Sequence, residues 1–89
     1  MKSRTTQRFR KALAALPDEV QEQARSAYRQ FIRDPQHPGL RFKSVHPSQP
    51  IYSARVGRGH RALGILEGDT VIWYWIGSHA EYDYMLTQR

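Results

Sequence analysis

The stretch Thr70-Val71-Ile72-Trp73-Tyr74-Trp75-Ile76-Gly77-Ser78-His79-Ala80-Glu81-Tyr82 decides how this chain folds, because the structural period changes within it. Its first seven residues are all β-branched or aromatic and read as a strand. On a period of two, Val71, Trp73 and Trp75 share one face while Ile72, Tyr74 and Ile76 share the other. Both faces are apolar, so the strand is predicted to be central and largely buried, with Trp73 and Trp75 as core side chains rather than a platform for nucleobases. After Gly77, Ser78 followed three residues later by Glu81 is a capping box, which predicts a short last helix starting at His79. Tyr82 then lies one turn from His79, and Met85 and Leu86 one turn further.

Working outward, residues 40–45, 51–56 and 61–66 are further short runs that read as strands. They are divided by His46-Pro47-Ser48-Gln49-Pro50, Gly57-Arg58-Gly59 and Glu67-Gly68-Asp69. Connections this short make the last three strands antiparallel neighbours. Upstream the period is helical: Phe9, Leu13 and Leu16 form one apolar stripe, and Val20, Ala24, Ala27, Tyr28 and Phe31 a second. Pro17 suits the first turn of the second helix, Asp18 and Glu19 suit its positive end, and Asp34-Pro35 ends it. Arg25, Arg29 and Arg33 line its outer face. The predicted class is α+β: two N-terminal helices packed on a four-stranded, mainly antiparallel sheet, with a short C-terminal helix.

At 89 residues the chain is expected to be a single domain spanning 1–89. It has no cysteine, which excludes a disulfide framework and a thiolate zinc site. The basic start, Met1-Lys2-Ser3-Arg4, is followed by Gln7, Arg8, Arg10 and Lys11 instead of an apolar run, so neither a signal peptide nor a membrane span is expected. A cytoplasmic protein is predicted. The formal charge is +6, and residues 1–45 carry ten Lys or Arg against four Asp or Glu, while residues 46–89 carry four of each. Eleven of the fourteen basic residues are arginine, whose planar fork grips phosphate bidentately, so the skew points to an acidic or phosphate-bearing partner.

The candidate site lies around the Gly57-Arg58-Gly59 turn. A two-residue loop would set Arg61 against Val56, whereas a three-residue loop sets it opposite Arg55 on one face. The second register is preferred, since two arginines placed face to face are best explained by an anion between them. An imidazole can take or give a proton near neutral pH, so His79 can serve as a general base or acid. His37, His46 and His60 have no ligand-like spacing, and no metal or other cofactor is expected. A Gly-rich phosphate loop and a nucleophile elbow are both missing, which removes most enzyme classes.

Three segments, in this order and spacing, resemble the RelE/ParE toxin superfamily of bacterial type II toxin–antitoxin systems: Ile51-Tyr52-Ser53-Ala54-Arg55-Val56, His60-Arg61-Ala62-Leu63-Gly64 and Trp73 to Tyr82. The resemblance extends from Phe9 to Leu86. In RelE-like members it implies a metal-independent endoribonuclease that enters the ribosomal A site and cuts mRNA. On that pattern Arg61 stabilises the transition state, His79 is general base or acid, and Tyr82, or failing that Tyr84, orients substrate. Arg55 and Arg58 position phosphate, and Lys43 adds charge. The strands around the cleft carry fewer basic residues than the strongest nucleases of the family, with Arg41, Lys43 and Arg55 on the first two. ParE-like members share the fold but poison DNA gyrase, which the resemblance leaves open. A third alternative is a non-catalytic basic module binding nucleic acid or ribosome through Arg25, Arg29 and Arg33. Either toxin reading implies an antitoxin whose acidic, amphipathic segment wraps the basic surface.

Overall fold

The protein is described from a computed structural model covering residues 1–87. The elements run β1 (Lys2–Thr5), α1 (Gln7–Ala14), α2 (Asp18–Arg33), a single 3₁₀ turn (Pro38–Leu40), β2 (Lys43–Ser44), β3 (Ile51–Val56), β4 (His60–Glu67), β5 (Thr70–Ser78) and α3 (His79–Thr87). They form one five-stranded sheet in the order β1-β5-β4-β3-β2. β1 pairs parallel with β5 and every other pair is antiparallel. The α+β class and the helical hairpin are as predicted. Among the described residues no helix is long and apolar enough to cross a membrane.

The helix ends follow the local chemistry. Thr6 caps α1, its hydroxyl accepting from the Phe9 N–H at 3.0 Å. Pro17 stands just ahead of α2, Asp18 and Glu19 occupy its first turn, and Asp34 leaves the helix in an extended conformation. The capping box predicted for α3 is formed: the Ser78 N–H donates to Glu81 Oε1 at 2.8 Å and the Glu81 N–H to Ser78 Oγ at 3.1 Å.

The sheet departs from the sequence expectation at both edges. The extra strand β1 is polar, with no apolar alternation to announce it. Backbone bonds hold it beside β5, and the Trp73 indole N–H donates to Ser3 Oγ at 2.9 Å. At the other edge the strand expected over residues 40–45 shrinks to Lys43–Ser44. Leu40 instead closes the 3₁₀ turn and enters the core at 3% exposure, and Arg41 adopts a left-handed backbone (φ 47°, ψ 43°) that interrupts any extended run.

The core lies between the two N-terminal helices and one face of the sheet, built from Phe9, Phe31, Leu40, Val56, Val71, Trp73 and Ile76 with three alanines. Phe31 sets its ring edge-on to Trp73 at 5.3 Å. The alternation read along β5 fails in the middle. Leu63 pairs with Trp75 and Gly64 with Trp73, so Tyr74 is an extra residue and the strand bulges. Val71 and Trp73 therefore face the helices, whereas Trp75 turns to the opposite face and Ile76 takes the core position. Trp75 shares its face with Leu63 and packs over Gly77, which corrects the expectation that both tryptophans belong to one core. Gly64 is required at the bulge, since a Cβ there would lie 2.6 Å from Val71 Cγ1 and 2.9 Å from the Trp73 ring.

A cationic groove as the candidate functional site

The hairpin between β3 and β4 uses a three-residue loop, Gly57-Arg58-Gly59, with Gly57 at φ +60°. This is the preferred register: Arg55 stands directly opposite Arg61, and Val56 opposite His60. The start of α3 is pinned to the same loop, because the His79 N–H donates to the Gly59 carbonyl at 2.7 Å. Hairpin and helix thus converge on a groove lined by Arg41, Lys43, Arg55, Arg58, His60, Arg61 and His79. Five of these side chains are formal cations, two are imidazoles and none is a carboxylate.

Among the residues singled out from sequence, Lys43, Arg55, Arg58, Arg61 and His79 meet in this groove. Tyr82 lies behind it, 5% exposed, with its hydroxyl donating to Ser53 Oγ at 3.2 Å. Tyr84 is 64% exposed and does not line the groove. The Arg25, Arg29 and Arg33 stripe is on α2, away from this site, and the exposed Arg25 is bridged to Glu22 at 3.3 Å.

Arg61 is the unusual member. It is only 7% exposed, yet no carboxylate among the described residues pairs with it. Nη2 donates to Ser53 Oγ at 2.7 Å and, at 3.4 Å, to the carbonyl of Arg41. The guanidinium also lies over the Tyr82 ring, 5.1 Å from its centre. Its Nε is buried without a hydrogen-bond partner among the described residues. A buried charge is costly unless paired, so this site is electrostatically incomplete and suited to an arriving anion. Arg55, by contrast, ties its Nε to the Gly57 carbonyl at 2.9 Å, bracing the loop.

His79 is exposed at the groove mouth. Its ring stacks on Tyr82 at 6.1 Å between centroids, and Nε2 is 3.8 Å from Asp83 Oδ2. That exposed pair is a weak contact in water. Glu81 and Tyr74 are shifted from their ordinary values. Glu81 is held below the usual carboxylate range by hydrogen bonds from the Ser78 N–H and hydroxyl, and burial pushes Tyr74 up.

Three groove-associated residues were not singled out from sequence. Ser53 shares the face of Arg55 at a spacing of two, a placement readable in principle from strand period. His60 precedes Arg61, and its spacing speaks only to the question of a metal site. Arg41 reads from sequence as a strand cation, and its left-handed backbone has no signal in an arginine.

Residues 18–84 match the sequence model of the ParE-like toxin domain. No curated protein matches the chain. Among solved structures, the RelB–RelE antitoxin–toxin complex of Methanococcus jannaschii is similar with a TM-score of 0.68 at 20% identity, over 91% of this chain and 96% of that one. YafQ from E. coli strain BL21(DE3) is similar with a TM-score of 0.67 at 14% identity, over 91% and 96%. The intact E. coli RelBE toxin–antitoxin complex gives 0.64 at 15%, over 85% and 93%. The fold is thus shared with toxins of toxin–antitoxin systems, and the chain belongs to the ParE-like toxin domain family.

Proposed function

We propose that this toxin inhibits translation by cutting mRNA at the ribosome, without a metal. The observation that carries this reading is the carboxylate-free groove of five cations and two imidazoles. Cleavage by the neighbouring 2′-hydroxyl requires removal of its proton as the 2′-oxygen bonds to phosphorus. It also requires a proton for the departing 5′-oxygen and stabilisation of the extra charge between these events. His79 is exposed at the mouth and suited to proton transfer, with His60 a second imidazole of the same groove. Arg61, with no acidic partner, supplies charge to the phosphorane-like transition state. Arg55, Arg58 and Lys43 draw in and position the backbone. Tyr82 lies beneath Arg61, its ring against the guanidinium. The partner is an antitoxin, as in the RelB–RelE complexes, whose acidic segment would cover the basic surface of this +6 chain.

A second reading, inhibition of DNA gyrase, is favoured by the ParE-like description of the family matched over residues 18–84. One experiment separates the two. Purified protein is added to a bacterial cell-free translation reaction programmed with one defined mRNA, and new 5′ ends are mapped with and without ribosomes. Ribosome-dependent cuts that vanish in His79→Ala and Arg61→Ala are expected. Intact mRNA together with blocked supercoiling by purified gyrase would replace this reading with the second.

A further inference from the structure

Arg61 and His79 are connected through two residues that do not line the groove. Ser53 is fully buried, at 0% exposure, and its hydroxyl accepts from both Arg61 Nη2 (2.7 Å) and the Tyr82 hydroxyl (3.2 Å). Tyr82 is itself in contact with Arg61 (5.1 Å from Cζ to the ring centre) and with the His79 ring, which stacks on it at an interplanar angle of 14°. A continuous chain therefore runs from strand β3 through Ser53 to Arg61 on β4, and through Tyr82 to His79 on α3. The hydroxyl of Ser53 uses both of its acceptor positions in this chain.

We infer that Ser53 and Tyr82 are positioning residues: Ser53 holds the Arg61 fork, and the Tyr82 ring sets the spacing between that guanidinium and the His79 imidazole. This rests on the ribonuclease reading and changes one part of it. The buried Tyr82 hydroxyl, committed to Ser53, works inside the protein and does not orient substrate. The left-handed Arg41 fits the same scheme, because its backbone presents a carbonyl to the same Nη2 that Ser53 holds. Replacing Ser53 by alanine leaves two buried donors, Arg61 Nη2 and the Tyr82 hydroxyl, without their shared acceptor. The guanidinium is then free to swing, and misplacement on the ångström scale costs about 100-fold in rate.

The test uses full-length protein carrying Ser53→Ala, Ser53→Thr or Tyr82→Phe, with two readouts. The first is the Arg61 Nε–H resonance in ¹⁵N-labelled protein, which needs no substrate. The second is the single-turnover rate of cutting one defined mRNA on bacterial ribosomes, as a function of toxin concentration. For Ser53→Ala a shifted, broadened resonance and a rate lower by about 100-fold are expected, with the half-saturating concentration little changed and both readouts restored in Ser53→Thr. Tyr82→Phe keeps the ring and should keep most of the rate. An unchanged resonance and rate in Ser53→Ala would overturn the inference. Loss of all cutting in Tyr82→Phe with an unperturbed Arg61 resonance would overturn it too, returning the hydroxyl to the substrate. If Ser53→Ala does not fold, Tyr82→Phe decides by these same criteria. Should the wild type cut no mRNA, the functional reading falls, and the resonance alone upholds or overturns the positioning of Arg61.

Discussion

On the face of the sheet covered by α1 and α2, Trp73, Phe31 and Phe42 interlock edge-on with a bed of small aliphatic side chains. On the face covered by α3, Arg61 is held by one serine hydroxyl, one carbonyl and one ring. The first face is stabilised by many non-directional contacts, each small, so its energy is spread over the whole cluster. The second has few directional contacts that act singly, and it holds a buried guanidinium that no carboxylate among the described residues pairs. On the ribonuclease reading proposed above, stability and function are divided between the two sides of one sheet, and substitutions on each side should fail in different ways.

The largest expected effect tests the core side. Trp73→Ala should cost about 3–5 kcal/mol, since it empties the centre of the aromatic cluster. Trp75→Ala should cost distinctly less, because the bulge has turned that ring to the opposite face, where it is only half buried. Urea unfolding of the two variants checks this, and equal losses would mean the bulge does not separate two environments. Next, Gly64→Ala should cost about 1–3 kcal/mol by forcing a methyl against Val71 and Trp73. A neutral result in the same urea titration would show that the bulge adjusts freely. On the other face, Arg61→Met keeps the apolar stem and removes the unpaired charge, so stability should hold or rise, on the order of 1 kcal/mol. Growth inhibition on induction should nevertheless be lost. A marked drop in midpoint would make Arg61 a structural residue and dissolve the contrast between the faces.

These faces also differed in how far the sequence exposed them. The helices, the three-residue loop and the capping box were legible because each depends on residues close in the chain: Asp18 and Glu19 after Pro17, glycines around Arg58, Ser78 with Glu81. That register placed Arg55 opposite Arg61, and the candidate groove followed. What escaped was non-local. β1 is ordered by β5, some 68 residues away, through backbone bonds that leave no hydrophobic pattern at Lys2–Thr5. The bulge arises from the fit between Gly64 and Trp73 across two strands, and it alone moved Trp75 to the other face. Ser53 is significant only through two partners brought to it from β4 and α3.

The smallest expected effect concerns how α3 is started. Ser78 donates to Glu81 through both its N–H and its hydroxyl, and these bonds hold the carboxyl below its ordinary range. A carboxyl depressed in the folded state contributes stability that is present above its unfolded value and is lost as pH falls through the folded one. The thermal midpoint of the wild type should therefore exceed that of Glu81→Ala at pH 7, and the gap should close as the solution is acidified below the ordinary carboxylate range. Glu81 is exposed, so the gap is modest and should shrink in salt. A gap independent of pH would mean that Glu81 acts through contacts its protonated carboxyl keeps and not by its charge, since alanine is the better helix former. Because His79 is the first residue of α3, the same substitution should loosen the imidazole at neutral pH while Arg61 keeps its bonds to Ser53 and Arg41. Glu81→Ala should then weaken growth inhibition far less than Arg61→Met, and a full loss would place the decisive step at the mouth of the groove instead of at its buried arginine.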